Sequence, residues 1–270
     1  TQLVLKLCLV LVSMSAIELT AQVCDYTIDV NQVSVNINQT GIPADYSNGT
    51  ICVNGLGALF INRNQKFTNV TFIFNGGGQL RLENYNNNTG GVYTYNFTDC
   101  TLNGLNNQQW HGISVNNEIN ILLDNTFIKN AEYGVFSNIS PSGSIIPFHL
   151  TVKNSHFIDC NVGMYIHNNY TPVYVDNTEF TNTSFTGAKA IELVTGILII
   201  TRSEFSNFTN GITVSQQNNN LVTLKICNFS NITISALVNN SVFAYFDVSK
   251  CTFTNIGYEA IRNVGPAKII

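Results

Sequence analysis

The stretch LIITRSEFSNFTNGITV, residues 198–214, contains one complete copy of a pattern that recurs along this chain. Apolar and polar residues alternate up to the small residue Ser203, Phe205 follows, and an Asn-rich turn leads into the pair Gly211-Ile212. This alternation has the period of a half-buried β-strand, and no stretch of the chain shows the period and caps of a helix. Each copy therefore predicts two or three short strands joined by tight turns.

The residue at the place of Phe205 recurs with nearly constant spacing. Its seven members are Leu102, Phe127, Phe157, Phe180, Phe205, Phe229 and Phe253, separated by 25, 30, 23, 25, 24 and 24 residues. The positions five and seven residues earlier are apolar in six copies, and the exception is Asn120 with Leu122. Self-similarity at a fixed period indicates a stack of like units, each of which buries its apolar face against its neighbours. The sequence predicts an all-β parallel solenoid with about 24 residues per rung.

A resemblance to a known superfamily rests on these repeats. From about Asn96 to Asn263 they resemble a right-handed parallel β-helix of the pectin-lyase-like superfamily, in the form N-x-x-F-x-N followed by G-I-x-V. The segments 53–55, 110–113 and 131–135 are similar to secreted surface β-helix proteins of Bacteroidetes-type bacteria. The resemblance implies a right-handed coil. The resemblance does not indicate which activity the chain has, because one fold hosts enzymes, adhesins and passive scaffolds.

Three segments follow from the pattern of the chain. Residues 1–21 have the charged start, short apolar centre and small-residue exit of a secretory signal peptide. Residues 22–52 precede the clear repeats and are predicted to be an N-terminal cap that covers the first rung. Residues 53–270 are predicted to be the parallel β-helix, and we expect it to continue beyond Ile270.

Composition excludes several classes of partner. Charged residues make up 10% of the chain, the net charge is −4, and Lys and Arg form no run, which argues against nucleic-acid binding. Apart from the signal peptide, no apolar run approaches the ~20 residues that a transmembrane helix needs. We therefore expect a secreted or cell-surface protein without a transmembrane segment. The oligomeric state stays open.

Six Cys remain once Cys8 of the signal peptide is set aside, and their spacing leaves disulfide connectivity open. No C-x-x-C pair occurs, so no zinc site and no cofactor are expected. Cys100, Cys227 and Cys251 each lie two residues before the repeated aromatic or Leu, a place that small polar residues fill elsewhere. This pattern favours small inward filler over a redox role, although Cys227 and Cys251 on consecutive rungs form a candidate disulfide.

Asn residues are predicted to form a side-chain ladder. Asn supplies 40 of the 270 residues, and Asn tolerates the left-handed backbone of sharp corners. The ladder is expected two positions after the aromatic, at Asn182, Asn207, Asn231 and Asn255. Gly104, Lys129 and Asp159 hold this place in earlier rungs, so the predicted ladder is partial.

One cluster of candidate catalytic residues depends on the predicted register. His156, Glu179 and Glu204 each precede the aromatic on three consecutive rungs, with Asp176 and Arg202 close by. Equivalent residues of neighbouring strands lie ~4.8 Å apart, which is close to the carboxylate separation of retaining glycosidases. The alternative is a solvated face without a chemical role. The resemblance implies that a pectin-degrading enzyme would carry paired Asp residues or a Gly-His-Gly turn, and neither occurs. Trp110-His111-Gly112 is nearest to such a turn, and His111 is predicted to be a turn residue beside Trp110.

These patterns favour a non-catalytic scaffold or adhesin-like segment that contacts polysaccharide or a cell-surface glycan. The alternative is a polysaccharide lyase or glycoside hydrolase that acts along one face, with Glu179 and Glu204 as acid and base or nucleophile. A cluster of outward acids and bases flanked by aromatic side chains would favour the enzyme. Only the row around His156 approaches that arrangement in the sequence.

Overall fold

The structure is a computed structural model that describes residues 23–269 except 32, 85–90, 117, 138–146, 168, 216–218 and 265–266. The predicted signal peptide, residues 1–21, lies outside the described residues. The 30-residue step from Phe127 to Phe157 predicts a loop at one corner, residues 140–144, and this segment lies outside them as well.

Short β-strands make up nearly all of the regular structure, with 3₁₀ segments at Ile37–Gln39 and Leu105–Asn107. The strands are β1 (Tyr26–Asp29), β2 (Ser34–Asn36), β3 (Asp45–Asn54), β4 (Ala58–Ile61), β5 (Gln65–Asn75), β6 (Gln79–Glu83), β7 (Tyr93–Thr98), β8 (Thr101–Gly104), β9 (Trp110–Asn116), β10 (Ile119–Asp124), β11 (Phe127–Lys129), β12 (Ala131–Ser137), β13 (His149–Lys153), β14 (His156–Ile158), β15 (Val162–Ile166), β16 (Asn169–Asp176), β17 (Glu179–Thr181), β18 (Lys189–Leu193), β19 (Gly196–Thr201), β20 (Glu204–Ser206), β21 (Asn210–Val214), β22 (Leu221–Lys225), β23 (Asn228–Ile232), β24 (Ser235–Asn239), β25 (Tyr245–Ser249), β26 (Thr252–Ile256), β27 (Glu259–Asn263) and β28 (Ala267–Ile269).

The strands stack in three columns around a parallel solenoid of about nine rungs, with about 24 residues in each rung. Column 1 holds β7, β10, β13, β16, β19, β22, β25 and β28, and column 2 holds β1, β8, β11, β14, β17, β20, β23 and β26. Strands β3 and β5 run through both columns, which together form one 18-stranded sheet. The ten remaining strands form column 3 as a second sheet. The predicted all-β parallel solenoid is confirmed, whereas the right hand of the coil stays a prediction.

Stacked aromatic rings run along the inside of column 2. Phe157, Phe180, Phe205, Phe229 and Phe253 stack on one another with centroids 4.5 to 5.3 Å apart and planes within 12°. Column 3 approaches this stack closely at its glycines: a Cβ on Gly134 would lie 2.6 Å from the ring of Phe157. The Gly of the repeated Gly-Ile pair therefore makes room for the aromatic of the following rung, as Gly211 does for Phe229.

A left-handed residue forms the corner between columns 1 and 2 on nine successive rungs. These residues are Asn48, Asn69, Asp99, Asn125, Asn154, Asn177, Arg202, Ile226 and Lys250, with φ between 46° and 58°. Asn tolerates this conformation better than other residues with a side chain, which explains its frequency here. The amide of Asn69 donates to Asn48 at 2.9 Å, and that of Asn177 donates to Asn154 at 2.9 Å.

The predicted Asn ladder is therefore mostly in a different place. Among the four Asn expected to form it, Asn255 donates to Asn231 from side chain to side chain, at 3.1 Å, and this is the one such bond within the set. Asn182 is buried and instead bonds to the backbone of Phe185, its Nδ2 donating to the carbonyl at 2.7 Å.

The predicted register is wrong at one rung. Ile128, not Phe127, pairs with Leu102 and Phe157 and lies in the core, while Phe127 pairs with His156 on the outer face. Because successive side chains of a strand alternate between faces, a slip of one residue exchanges the two. The correction also removes the apparent exception at Asn120, because Ile121 and Leu123 are the buried pair of that rung.

The N-terminal segment is built into the solenoid. Strand β1 pairs with the second half of β3, and a disulfide joins Cys24 to Cys52. The predicted boundary between cap and repeats, after Cys52, falls within β3. The structure describes no helix of the length and apolarity required to cross a membrane.

We expect a variant that lacks residues 22–52 to aggregate, because the deletion exposes the strand edges of β4 and β5 and their apolar side chains. Size-exclusion chromatography with light scattering measures this. As a matched control, Cys24→Ser with Cys52→Ser keeps every strand and should stay soluble while losing about 2 to 3 kcal/mol of unfolding free energy. A soluble, monomeric deletion variant would show that these residues do not cover the first repeats.

Candidate functional site

The three predicted site residues line one shallow groove along the outer side of the corner between columns 1 and 2. We call it the corner groove: its lining residues are Asn125, Asn154, His156, Asn177, Thr178, Glu179, Arg202 and Glu204, and its volume is about 390 Å³. Three rungs contribute both the corner residue and the first residue of the column 2 strand, while the rung of Asn125 contributes its corner residue alone. The groove therefore runs along the solenoid axis.

The floor of the corner groove is a row of paired residues. His156, Glu179 and Glu204 follow one another in register on three consecutive rungs, and Phe127 extends the row beyond the groove on the rung before His156. The imidazole of His156 stacks on the ring of Phe127 at a centroid distance of 4.4 Å, and its Nδ1 lies 3.1 Å from Glu179 Oε2. The structure thus confirms the predicted register of the three site residues. It adds an aromatic side chain that the sequence had placed in the core.

The wall of the corner groove consists of the left-handed corner residues. Asn125 donates to Asp99 at 2.6 Å, and Asn154 donates to Asp124 at 3.1 Å. The Arg202 guanidinium donates to both carboxylate oxygens of Asp176. These hydrogen bonds, together with one from Thr201, lower the pKa of the Asp176 carboxyl although partial burial opposes the shift. Arg202 is therefore held by Asp176 and not by the two glutamates.

The two glutamates of the groove are open to solvent. Glu179 keeps 43% of its side chain exposed, and Glu204 is exposed and has no salt-bridge partner among the described residues. A general acid needs its carboxyl held protonated, which enclosure by apolar side chains achieves. Neither glutamate has such surroundings. The arrangement offers hydrogen-bond acceptors, amide donors and one aromatic side chain, which suits contact with a hydroxyl-rich polymer.

The described residues contain no group of three or more His, Cys, Asp or Glu side chains placed to hold a metal ion. The same register position holds no further acid or base on the neighbouring rungs. Thr101 precedes Phe127 there, and Asn228 and Thr252 follow Glu204.

The prediction that His111 is a turn residue is wrong, because it lies in β9 and its Nδ1 is 2.6 Å from Glu132 Oε2. Its ring contacts Phe136 edge-on at 4.9 Å, and Tyr133 lies between Phe136 and Tyr165, at 5.4 and 5.8 Å. We call His111, Glu132, Tyr133, Phe136, Tyr165 and Glu192 the aromatic face. Burial, followed by the charges of Glu132 and Glu192, raises the pKa of Tyr133.

Sequence reasoning missed the aromatic face, although part of the signal was present. Phe136, Tyr165 and Glu192 share one register position, two residues after the small residue that opens the column 3 repeat. Following that position from repeat to repeat would have found them. His111 and Glu132 lie opposite each other between the pairs Trp110–Ala131 and Gly112–Tyr133, and the pairing of β9 with β12 becomes irregular only after Tyr133.

Comparisons of this chain with protein-family models, with curated proteins and with solved structures give no match in any of the three. The resemblance to the pectin-lyase-like superfamily and to Bacteroidetes-type surface proteins therefore stays a prediction. What the structure itself shows is the coarser class, a parallel β-solenoid of about nine rungs.

Proposed function

We propose that this chain is a non-catalytic, secreted or cell-surface scaffold whose corner groove contacts a glycan. The observation that carries the proposal is the corner groove: a continuous row of side chains at strand spacing, ~4.8 Å per rung, lined by a wall of amides. A groove along the axis suits an extended polymer, since each rung repeats the same backbone beside the ligand. The continuous core beneath it supports a rigid scaffold.

The charges of the groove favour a neutral glycan over a polyanionic one. Arg202 is engaged by Asp176, and His156 lies against Glu179. The charged side chain of the groove that stays open to a ligand is therefore the carboxylate of Glu204. Carboxylates and amides accept and donate hydrogen bonds to hydroxyl groups, whereas a polyanion would meet repulsion. Phe127 offers an apolar contact at one end of the row.

The second candidate function is a polysaccharide lyase or glycoside hydrolase. The register of Glu179 with Glu204 favours it, because the two carboxylates belong to neighbouring strands and retaining glycosidases use carboxylates ~5 Å apart. Their exposure to solvent argues against it. The two functions differ in what they predict for the double variant Glu179→Gln with Glu204→Gln: the glycan-binding scaffold loses retention, whereas the enzyme loses turnover.

We expect the chain to be retained weakly on insoluble neutral polysaccharides, and Glu179→Gln with Glu204→Gln to reduce retention about tenfold, equivalent to two or three lost hydrogen bonds. Pull-down on cellulose, xylan, starch and acidic polymers measures retention, and reducing-sugar and unsaturated-product assays measure turnover. Glu259→Gln, an exposed change in β27 away from the groove, is the matched control. We expect no turnover by the parent chain.

Two outcomes would contradict the proposal. Retention that the double variant leaves unchanged would remove the groove as the contact site. Turnover by the parent that falls by ~10² or more in the double variant, with folding intact, would establish the enzyme instead.

A further inference from the structure

A column of small inward side chains runs two positions before the core residue of column 2. Its members are Cys100, Thr126, Ser155, Thr178, Ser203, Cys227 and Cys251. Each donates to the backbone carbonyl two residues earlier, as Ser203 does to Thr201 at 2.9 Å and Cys251 does to Ser249 at 3.4 Å. The predicted role of these cysteines as small filler is supported, because sulfur takes the place of a hydroxyl in the same hydrogen bond.

Only one pair of thiols in this column lies on adjacent rungs. The pairing of Asn228 with Thr252 places Cys227 and Cys251 side by side, and the backbone N–H of Cys227 donates to Cys251 Sγ at 3.4 Å. Neighbouring parallel strands hold equivalent Cα atoms ~4.8 Å apart, inside the ~4.4 to 6.8 Å range that disulfides span. The other two free thiols, Cys100 and Cys160, are buried without a second thiol beside them.

The two thiols of the pair differ in their surroundings. Cys227 is 2% exposed, while Cys251 is partly exposed. The hydrogen bond with Cys251, followed by burial, raises the pKa of Cys227, and the donors on Cys227 lower the pKa of Cys251. Burial raises the pKa of Cys100 to about 11 and that of Cys160 to about 12, so both stay protonated. A thiolate is the attacking species in disulfide exchange, which singles out Cys251.

We propose that Cys251 and Cys227 form a reversible thiol–disulfide exchange site, with Cys251 attacking and Cys227 resolving. The oxidant is a low-molecular-weight disulfide such as glutathione disulfide. The Cys251 thiolate attacks one of its sulfurs, and one glutathione thiolate leaves. In the mixed disulfide Cys251 is no longer a thiolate that holds the Cys227 proton, and a glutathione thiolate takes that proton. The Cys227 thiolate then attacks Cys251 Sγ, the bond between the two rungs forms, and the second glutathione leaves as a thiolate. The pair gives up two electrons and two protons, and one glutathione disulfide becomes two glutathiones.

The register also explains why a disulfide between Cys227 and Cys251 should be reduced more easily than the disulfide between Cys24 and Cys52. Directly paired residues of parallel strands keep Cβ atoms near the strand spacing of ~4.8 Å, beyond the ~3.8 Å that a relaxed disulfide prefers. Closing it stores strain, and strained disulfides are more easily reduced. Cys24 is instead offset along the chain from the Thr27 that pairs with Cys52.

The test incubates the purified chain in glutathione mixtures of increasing oxidised fraction, quenches with acid, alkylates free thiols and maps tryptic peptides by mass spectrometry. Cleavage after Lys225, Lys250 and Arg262 separates peptide 226–250, with Cys227, from peptide 251–262, with Cys251. We expect these two peptides to become cross-linked, and stepwise dithiothreitol to open the cross-link at a concentration at least tenfold below that required for Cys24–Cys52.

Two variants separate the roles of the thiols, and both keep the column intact because Ser203 already occupies the equivalent place. Cys227→Ser should accumulate a glutathione adduct on Cys251 that the parent resolves. Cys251→Ser should leave Cys227 unmodified, and Cys100→Ser should change nothing. The proposal is overturned if all four free thiols alkylate alike and no cross-link forms at any ratio, or if Cys251 links only to Cys251 of another molecule.

Discussion

Replacing Phe205 by Ala should lower the free energy of unfolding by about 3 to 5 kcal/mol, among the largest effects expected of a single substitution in this chain. Phe205 is fully buried, and its ring stacks between Phe180 at 5.0 Å and Phe229 at 4.5 Å. The substitution removes a ring from the middle of the column, and its neighbours are held by backbone pairing on both sides, so the cavity cannot collapse. Denaturant titration followed by circular dichroism measures the loss.

Thr201→Ala provides the control for Phe205→Ala within the same rung. Thr201 is half-buried on the outer face and donates a hydrogen bond to Asp176, so its loss should cost under about 1 kcal/mol. Equal shifts of the denaturation midpoint for the two variants would contradict the inward placement of Phe205.

Ile128→Ala should destabilise the chain by about 2 to 4 kcal/mol, whereas Phe127→Ala should cost about 1 kcal/mol. Ile128 is fully buried between Leu102 and Phe157, while Phe127 loses chiefly its stacking on His156 and its contact with the Lys129 ammonium, 5.2 Å from the ring centroid. Chemical denaturation of both variants against the parent measures the difference. The reverse order of the two losses would restore the register in which Phe127 faces the core.

Much of the column 2 register could be predicted because its constraints repeat. From Phe157 onward, each rung combines an inward aromatic with apolar residues five and seven positions earlier, and a shift of one residue would expose all three. At Phe127-Ile128 both residues are apolar, so either could face inward. The repeated setting of an aromatic or Leu placed Phe127 inward in the predicted register, whereas pairing with Leu102 and Phe157 places Ile128 there.

The candidate site could be predicted in part for the same reason. His156, Glu179 and Glu204 share a register position, so their row followed from the repeat alone. Phe127 was missing from it because of the slip at that rung. The amide wall was not predicted, because Asn125, Asn154 and Asn177 owe their outward positions to left-handed corners. The same corner is formed on later rungs by Arg202, Ile226 and Lys250. Residue identity therefore does not mark the corner.

The parallel pairing of every rung with the next also determines how the solenoid would respond to force. Backbone hydrogen bonds between rungs point along the solenoid axis, so tension applied at the two ends would load successive interfaces in series. The weakest interface would open first, and the chain would lengthen by peeling rungs one at a time. Compression would instead press close-packed rings together. The solenoid would therefore resist compression better than tension, and a covalent link across rungs, such as Cys24–Cys52, would hold the rungs that it joins together under tension.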